Sequence, residues 1–587
     1  MKVAVSLSIV DLIKRYQVED YRNLCTQIYR LPSRIKRKVP SWPPFGRFPY
    51  HLAPDFFTMG ALDVLFPAAL APSWTTFFMV PTLTYLAVIF YRLTFHPLAR
   101  FPGPKIAACT GLYEAYYQCF KEGGGRYWKE VEEMHRIYGP IVRINPREVH
   151  ISDSQWNDVY KYSSKASKPR WFYFRFFGKF PSTNVAESHE LHQLRRGPLN
   201  TYFASSNIQK YIPMVTSLID KLVDRVNALE GRAVSLSDAY RCLATDVATG
   251  FAFGKPFGNL DEPTFDHEFN LSVRTVVKVS TFSRHAYGLL LPVLHSMPER
   301  FARKMNPAFG RVKWLMETMQ SCVRRSMDKP EAAPGQNPDV VQTLLASNLP
   351  PQEKTFPRLF SETRSVIMAG TETTGSLLVA ITAYILNHPD KMEKLRAELG
   401  EAEKAKGGAA LQYSDIRELP YITGVVNEGL RLANPTPTRL PRVCPDQDLT
   451  YGKYVIPMGT TISTCVQDVH NDPAIFERPA EFRPERWTDP KERRRLNRYL
   501  LPWGRGMRLC LGMELATIDT YMTVARLFSP SCPFRMRMHN TRDEDWQIFH
   551  EFFSGFPKGK GLEVMVMPAP PTTNGVVSSG DSRMNGY

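Results

Sequence analysis

One cysteine of this 587-residue chain stands in a setting that suits chemistry. Cys510 lies in a glycine-rich run, four residues after Gly506 and two before Gly512, and a helical pattern begins at Met513. Glycines let a backbone turn and approach a planar ring closely. Amides of the loop and of the following helix N-terminus stabilise an anionic sulfur and lower the pKa of the thiol. The spacing predicts a thiolate presented to a flat cofactor, although a buried structural cysteine after a chance turn also fits.

Two more residues complete the pattern of this loop. Arg508 offers a fixed cation to a carboxylate, and Trp503 opens the run Trp-Gly-Arg-Gly-Met-Arg-Leu-Cys-Leu-Gly. The run resembles the haem-binding signature of the cytochromes P450, Phe-x-x-Gly-x-Arg-x-Cys-x-Gly, with tryptophan in place of phenylalanine, an exchange that can shift the haem potential. The resemblance implies haem b as cofactor and Cys510 as axial ligand of its iron. It also implies that Trp503, Gly506, Arg508 and Gly512 bind the cofactor.

The longest helical pattern runs from Ser361 to His388 and is polar at its centre. That centre, 369–374, reads Ala-Gly-Thr-Glu-Thr-Thr, and polar groups in a buried helix need a purpose. Hydroxyls that bond back to a carbonyl open a helix locally and can hold water, which supplies a proton path. The stretch resembles the oxygen-binding helix of the cytochromes P450, which implies that Glu372 and Thr373 are the catalytic acid–alcohol pair. A Ser/Thr bend in a structural helix would look similar.

Two basic elements are candidates for holding the carboxylates of the cofactor. His192 and Arg196 lie one turn apart on a predicted helix, where the family usually has tryptophan and arginine. The resemblance implies that both contact the haem propionates, which a histidine donor and an arginine fork can bind. A solvated basic helix face is the alternative. Arg442 matches a third family residue that binds a propionate, although Arg439 is close enough to compete.

A further set of charged residues is implied to be structural. Glu428 and Arg431 stand three residues apart on one face of a predicted helix. Downstream, Phe-Arg-Pro-Glu-Arg-Trp at 482–487 resembles the family element Phe-x-Pro-Glu-Arg-Phe. The resemblance implies a buried triad of Glu428, Arg431 and Arg486 that locks the core behind the cysteine loop. Truncating one member would leave an unpaired buried charge.

The N-terminal part of the chain divides into a basic extension and an apolar segment. Residues 1–63 form the extension, whose first 60 residues carry ten Lys and Arg against four Asp and Glu. A membrane-surface or targeting segment, a poorly ordered extension and a gene model that starts too early all remain open for it. Residues 64–91 carry no charge, and the helix from Ser73 to Tyr91 would span about 28 Å, close to the core of a bilayer. A single transmembrane anchor is the prediction, with a buried core helix as the alternative.

The cation-rich segment after the predicted anchor indicates on which side of the membrane the rest of the chain lies. Arg92, Arg100 and Lys105 favour a cytosolic position for the next segment, although the basic extension weakens this argument. Residues 92–105 include Phe-Pro-Gly-Pro and are predicted as a hinge like that of membrane-bound cytochromes P450. The resemblance implies a single-pass protein of the endoplasmic reticulum membrane with a cytosolic catalytic domain.

The remaining chain is predicted as one catalytic domain, 106–567, and a disordered tail, 568–587, rich in Pro, Ser, Gly, Thr and Asn. The fold class implied is mainly α with a small β region, in which 141–144 and 149–151 read as short strands. The aromatic run Trp171–Phe177 is either core packing or a loop that lines the substrate pocket over the haem. Nine cysteines without a Cys-x-x-Cys pair argue against a disulfide framework and a zinc site.

The net charge of +17 allows an anionic membrane or an acidic partner, and no motif favours nucleic acid. The resemblance is strongest to fungal cytochromes P450 of secondary metabolism, of the trichodiene-oxygenase type. It implies a haem-thiolate monooxygenase that inserts one atom of O2 into an apolar small molecule, a terpenoid or another secondary-metabolite intermediate. Electrons would come from NADPH through NADPH–cytochrome P450 reductase, with cytochrome b5 as a further partner. The basic run 491–495 is either a solvated surface or the docking site of that reductase.

Two rival functions fit the same residues. The chain could be a cytochrome P450 that isomerises or dehydrates an oxygenated substrate without O2, although an intact Glu372–Thr373 pair speaks against this. A non-catalytic, membrane-anchored haem-binding protein is the rival from another class.

Overall fold

A computed structural model describes residues 74–178, 180–265, 267–286, 297–298, 301, 304, 308–444 and 446–570. The predicted basic extension, the first ten residues of the predicted anchor and most of the predicted tail lie outside these residues. The described chain is mostly helical with several short strands, as the sequence predicted.

The helices are, in chain order, α1 (Trp74–Thr94), α2 (Lys105–Cys109), α3 (Leu112–Cys119), α4 (Tyr127–Tyr138), α5 (Arg170–Phe177), α6 (His189–Tyr202), α7 (Ser205–Ile208), α8 (Ile212–Asn227), α9 (Leu236–Phe253), α10 (His267–His285), α11 (Ala308–Asp328), α12 (Val340–Ala346), α13 (Phe356–Asn387), α14 (Pro389–Ala405), α15 (Tyr413–Ile416), α16 (Pro420–Ala433), α17 (Val466–His470), α18 (Pro490–Asn497), α19 (Met513–Phe528) and α20 (Asp543–Trp546).

The strands form small sheets at the edges of the helical body. They are β1 (Ile141–Asn145), β2 (Glu148–Ile151), β3 (Ala233–Ser235), β4 (Arg442–Val443), β5 (Leu449–Tyr451), β6 (Tyr454–Ile456), β7 (Thr461–Ser463), β8 (Phe534–Met538), β9 (His550–Phe552), β10 (Ser554–Phe556) and β11 (Glu563–Pro568). One sheet has the order β1-β2-β7-β4 and a second the order β3-β11-β8, while β5–β6 and β9–β10 are hairpins. All pairs are antiparallel except β2 with β7.

The long helix α13 is the centre of the core. It packs most extensively against α9 and also contacts α11, α16 and α19. Two glycines allow the closest approaches, because a Cβ on Gly375 would lie 2.9 Å from Arg241 Cγ and one on Gly429 would lie 2.2 Å from Ile381 Cγ1. Among the described helices, α13 alone is long and apolar enough to cross a bilayer by length and composition, yet 67% of its apolar window is buried inside the protein.

Helix α1 differs from the predicted anchor in its bounds. It begins at Trp74, later than predicted, and ends at Thr94, and its apolar part, Phe78–Thr94, is near the lower length limit for a span. Its large apolar side chains are more than half exposed at Phe78, Met79, Leu83, Leu86 and Phe90. The membrane-spanning role of this helix stays a prediction.

The segment predicted as a hinge is packed against β1. Pro102 O accepts the backbone N–H of Arg143 at 2.7 Å, and the Arg143 guanidinium donates to Arg92 O at 2.8 Å. Gly103 has a φ of +147°, and a Cβ there would lie 2.5 Å from Arg143 O. Phe101 is buried beside it. The two ends of this segment are therefore fixed to the sheet.

Candidate active site

A cavity of about 580 Å³ brings the two predicted halves of the site together. Cys510 and Trp503 line it from the cysteine loop, and Glu372 and Thr373 line it from α13. Helices α5, α6, α9, α10, α11 and α19 and the turn between β9 and β10 supply most of the rest of the wall. Its surface is largely apolar, as a site for an apolar molecule requires.

The cysteine loop is held by its backbone. Cys510 N–H donates to Trp503 O at 2.9 Å, which closes the loop, and Gly506–Arg508 forms a 3₁₀ turn inside it. Gly506 has a φ of +70°, and a Cβ there would lie 2.1 Å from Tyr160 O, so only glycine fits. Gly512 then caps α19.

Protein atoms surround Cys510, and its side chain is open to the cavity rather than to the outer surface. Burial among protein atoms raises the pKa of its thiol, while the amides of Gly512 and Met513 and the charge of Arg196 act in the opposite direction. The predicted lowering by loop amides is therefore present but is outweighed by burial. Coordination of a metal ion removes a thiol proton outright, so this pKa does not prevent a thiolate ligand.

Basic side chains without carboxylate partners gather at one side of the cavity, where Lys168, His192 and Arg196 line the wall and Arg442 and Arg508 lie close to them. His192, Arg196, Arg442 and Arg508 were predicted, and Lys168 joins them although no sequence signal pointed to it. Among the described residues, none of the five forms an ion pair with a carboxylate.

Hydrogen bonds from this cluster go to neutral oxygens instead. Lys168 donates to Asn184, Arg442 to the Tyr173 hydroxyl at 2.8 Å, and Arg508 to Ala186 O at 2.8 Å. The buried His192 Nδ1 has no partner in the described structure. The cluster holds positive charge that only an anionic ligand would neutralise.

Repulsion between these groups adds to the effect of burial on their pKa values. Burial first, then the charges of Arg508, Arg196 and other members, lowers the pKa of His192 to about 2. Burial and Arg442 lower the pKa of Arg508 to about 9, and burial and Arg442 hold the pKa of Lys168 well below its usual value. A bound dianion would relieve this repulsion.

The structure distinguishes Arg442 from Arg439, the other candidate for binding a propionate. Arg439 is buried and donates to Glu148 at 2.8 Å and to Glu114 at 2.7 Å, so both its partners are carboxylates. Arg442 instead lies against Tyr173 beside the cation cluster. Arg439 is thus committed to an internal ion pair.

Glu372 has a partner that sequence reasoning missed. Arg241 of α9 donates to both of its carboxylate oxygens, at 3.0 Å and 2.8 Å, and Ser376 Oγ donates to Oε1 at 3.1 Å. Thr373 Oγ1 donates to Ala369 O at 2.7 Å, the predicted back-bond, while α13 stays helical through this stretch. For Glu372 to pass protons, its pair with Arg241 must open.

The three predicted triad residues lie together behind the cysteine loop. Arg431 donates to both oxygens of Glu428, at 2.8 Å and 3.0 Å, and Arg486 Nε donates to Oε1 at 3.0 Å. Trp487 Nε1 donates to Oε2 at 2.9 Å. The tryptophan that replaces the family phenylalanine thus makes a hydrogen bond that phenylalanine cannot make.

The aromatic run 171–177 is helix α5, so the prediction of a loop was wrong. Pro169 precedes it and Gly178, with a φ of +72°, ends it. The helix combines the two predicted roles, since Phe172 is buried in the core and Phe176 and Phe177 line the cavity. The turn between β9 and β10 also reaches the cavity, through Phe553 and Ser554.

One cluster of metal-ligand type lies outside the cavity in the part of the chain that the structure describes: His150, Cys465 and Asp468. His150 Nε2 lies 3.4 Å from Cys465 Sγ, and its Nδ1 lies 2.8 Å from His135 Nε2. His135 Nδ1 in turn lies 2.8 Å from Gly139 O. The hydrogen bonds account for these groups as a buried polar network.

The chain belongs to the cytochrome P450 family. The family model described as "Cytochrome P450" matches residues 110–552. A cytochrome P450 monooxygenase of Ascocoryne sarcoides is 34% identical over 500 residues, which cover 82% of this chain and 95% of the relative. A tryptophan 6-hydroxylase of Fusarium equiseti is 32% identical, covering 83% and 96%, and an N-acetyltryptophan 6-hydroxylase of Emericella nidulans is 32% identical, covering 86% and 99%. The protein is therefore an oxidoreductase of the cytochrome P450 monooxygenase class.

The residues of the cavity fit the haem that this family implies. Cys510 offers a soft ligand for iron from one wall. The basic side chains that lack carboxylate partners, together with the orphaned Nδ1 of the neutral His192, suit the two propionates. Bound haem would supply the activation of O2, and the protein would supply the ligand, the carboxylate clamp and the water-poor cavity.

Replacing Lys168 by methionine should accelerate haem loss. A hydrogen bond to a charged group contributes about 1.5–3 kcal/mol, so we expect dissociation to be about 10-fold faster or more. Haem transfer to apomyoglobin measures this rate. Lys161→Met is the control, because Lys161 is exposed and pairs with Asp158. Equal rates for both variants would contradict a role of Lys168 in holding the propionates.

Asp519, which lines the cavity from α19, makes stability depend on pH. Burial raises the pKa of Asp519 to about 7, so the folded state binds more protons than the unfolded state between about pH 4 and 7. The free energy of unfolding should therefore fall as the pH rises through this window. Asp519→Asn should stabilise the protein at pH 8 by roughly 2–4 kcal/mol and change little at pH 4. Thermal unfolding at both pH values tests this, with the exposed Asp224→Asn as control; a similar gain at pH 4 would contradict it.

Proposed function

We propose that the protein is a haem-thiolate monooxygenase that inserts one oxygen atom from O2 into an apolar small molecule of fungal secondary metabolism. The observation that carries this proposal is the meeting of Cys510, Glu372 and Thr373 in one largely apolar cavity. Hydroxylation is the reaction of two relatives, named as 6-hydroxylases of tryptophan and of N-acetyltryptophan. A terpenoid substrate stays a prediction.

The residues have distinct roles in this proposal. Cys510 is the iron ligand, and the cations around Lys168 hold the propionates. Thr373 and Glu372 manage protons on the opposite wall, and Arg241 keeps Glu372 in place between turnovers. The ion pair excludes bulk water from the buried carboxylate, so proton delivery depends on its transient opening.

Electrons come from NADPH through NADPH–cytochrome P450 reductase, with cytochrome b5 as a further partner. The basic helix α18 supports this proposal, because Lys491 and Arg494 are exposed just before the cysteine loop. Arg495 is partly neutralised by Glu492 at 2.6 Å. An acidic partner attracted to this surface would approach the cysteine side of the cofactor.

The protein is placed in the endoplasmic reticulum membrane, with its catalytic domain in the cytosol. Support comes from the exposed apolar surface of α1 and from further exposed apolar side chains on α2 and α3 and at the end of α3: Ile106, Leu112, Tyr116 and Phe120. Exposed apolar side chains gathered on consecutive elements are typical of a surface that contacts a membrane. Resistance of the membrane fraction to alkaline carbonate extraction tests this placement.

The function is tested by expression beside a reductase, with metabolites extracted after labelling with 18O2. The reduced protein with carbon monoxide should show the red-shifted Soret band of thiolate ligation, and one metabolite should gain one labelled oxygen atom. Conversion of a substrate without label would favour the isomerase or dehydratase. A protein that shows the band but consumes no O2 with any extracted metabolite would favour the non-catalytic haem protein.

A further inference from the structure

Three carboxyl groups line the cavity, and two of them are paired with arginines of the protein. The third, Asp519, accepts the hydroxyl of Thr523, and burial raises its pKa to about 7. Glu362 pairs with Arg358 at 2.5 Å and accepts the backbone N–H of Thr183 at 2.9 Å. Glu372 pairs with Arg241 at 2.8 Å. The two paired acids therefore offer no free negative charge to another cation in the cavity.

Arg364 is a cation of this cavity without such a partner. It lies on α13 and lines the cavity, and its Nε is buried with no hydrogen-bond acceptor. Among the described residues, no carboxylate lies within ion-pair distance of its guanidinium. Its nearest aromatic neighbour is Phe180, whose ring centroid is 3.8 Å from Cζ.

Arg364 is also separate from the cations assigned to the propionates. Burial alone lowers its pKa, to about 10, and no charge from the cluster around Lys168 acts on it. It therefore remains protonated at neutral pH. At about 1.5 Å per residue, α13 places Arg364 about 9 Å from Gly370, at the end of the cavity away from the acid–alcohol pair.

Keeping an unpaired guanidinium in an apolar cavity costs free energy unless a ligand neutralises it. The planar fork of arginine matches a carboxylate through two parallel hydrogen bonds, which gives orientation as well as affinity. Aromatic side chains also line this cavity, among them Phe176, Phe177 and Phe553.

We propose that Arg364 binds a carboxylate of the substrate, so that the enzyme oxidises an organic acid with an apolar, aromatic-compatible body. The inference rests on the proposed monooxygenase function and names the substrate class of the same cavity. Anchoring the acid at this end of α13 would direct a carbon roughly 9 Å away toward the cofactor side. Arg364 is thus a specificity-determining residue.

The test uses the haem-loaded protein and matched ligand pairs that differ only in charge. The probes are 2-naphthylacetate with 2-naphthylacetamide, and indole-3-butyrate with indole-3-butyramide, titrated by isothermal calorimetry. The wild type should bind the acids about 10–100-fold more tightly than the amides, the factor given by a charged hydrogen bond. Arg364→Gln should lose this preference and Arg364→Lys should keep part of it.

Lys313→Gln is the matched control. Lys313 also lines the cavity, but it lies 3.8 Å from Glu317. The control should keep the preference for acids. Equal binding of acids and amides by the wild type, or loss of the preference in Lys313→Gln but not in Arg364→Gln, would overturn the proposal.

A purely structural role for Arg364 has a different signature. If its contact with Phe180 only stabilises the fold, Arg364→Gln should lower the melting temperature and leave the acid-to-amide ratio unchanged, which would overturn the proposal. The reduced carbon monoxide spectrum of each variant distinguishes a failure of the proposed monooxygenase function from a failure of the proposed carboxylate site. A wild type without the thiolate band would disprove the monooxygenase function, whereas a normal band with no preference for acids disproves only the carboxylate site.

Discussion

Cys510→Ser is expected to abolish both the thiolate spectrum and turnover. Serine is similar in size, and the loop is closed by the backbone hydrogen bond from residue 510 to Trp503 O, so the fold should survive. A hydroxyl is a far weaker anionic ligand than a thiol, and the electron donation that favours O–O cleavage would be lost. Turnover should fall by more than about 100-fold, the factor given by a barrier increase of about 2.7 kcal/mol.

The reduced carbon monoxide spectrum and product formation with a reductase measure these effects. Cys444→Ser is the control, because Cys444 is a partly buried thiol that does not line the cavity. It should keep the band and the activity. Survival of the thiolate band in Cys510→Ser would show that another residue binds the iron.

Glu428→Gln is expected to destabilise the protein by about 3–5 kcal/mol. Glu428 is fully buried and accepts hydrogen bonds from Arg431, Arg486 and Trp487 as well as from the backbone of Arg483. An amide of the same shape removes the charge that neutralises Arg431 and offers one acceptor oxygen in place of two. Removing one partner of a buried ion pair leaves the other uncompensated, which is why the cost is large.

Glu485→Gln provides the comparison within the same region. Glu485 is about one-third exposed and bonds to Lys394 at 2.7 Å, so its loss should cost about 1 kcal/mol or less. Thermal unfolding and the haem content after purification measure both variants. Equal losses of stability would contradict the structural role of the buried Glu428 cluster.

Sequence reasoning located the parts of the site that depend on neighbours along the chain. The turn that presents Cys510 depends on glycines within a few residues, and the back-bond of Thr373 reaches only four residues to Ala369. Residues of the buried face of α8, among them Val215, Ile219 and Leu222, likewise recur at helical spacing along the chain. Such features follow from local spacing, which a single sequence displays directly.

Local spacing along the chain could not predict which residues pair with the charged side chains. Arg241 is 131 residues from Glu372, and Arg439 is 291 residues from Glu148, so only the packing of distant elements pairs them. Nothing around Lys168 marked it as a member of the cation cluster. The aromatic run of α5 read as a loop because its composition is compatible with both structures.

The sequence by itself determined the family, the thiol that faces the cavity and the long central helix that carries Glu372 and Thr373, because each depends on residues close together along the chain. Only the tertiary structure decided which charges are satisfied. It committed Arg439 and Glu372 to ion pairs within the protein, and among the residues that the structure describes it left the cluster around Lys168 and the guanidinium of Arg364 without carboxylate partners. Burial makes an unpaired charge costly, so the groups that folding leaves unpaired indicate what the cavity binds.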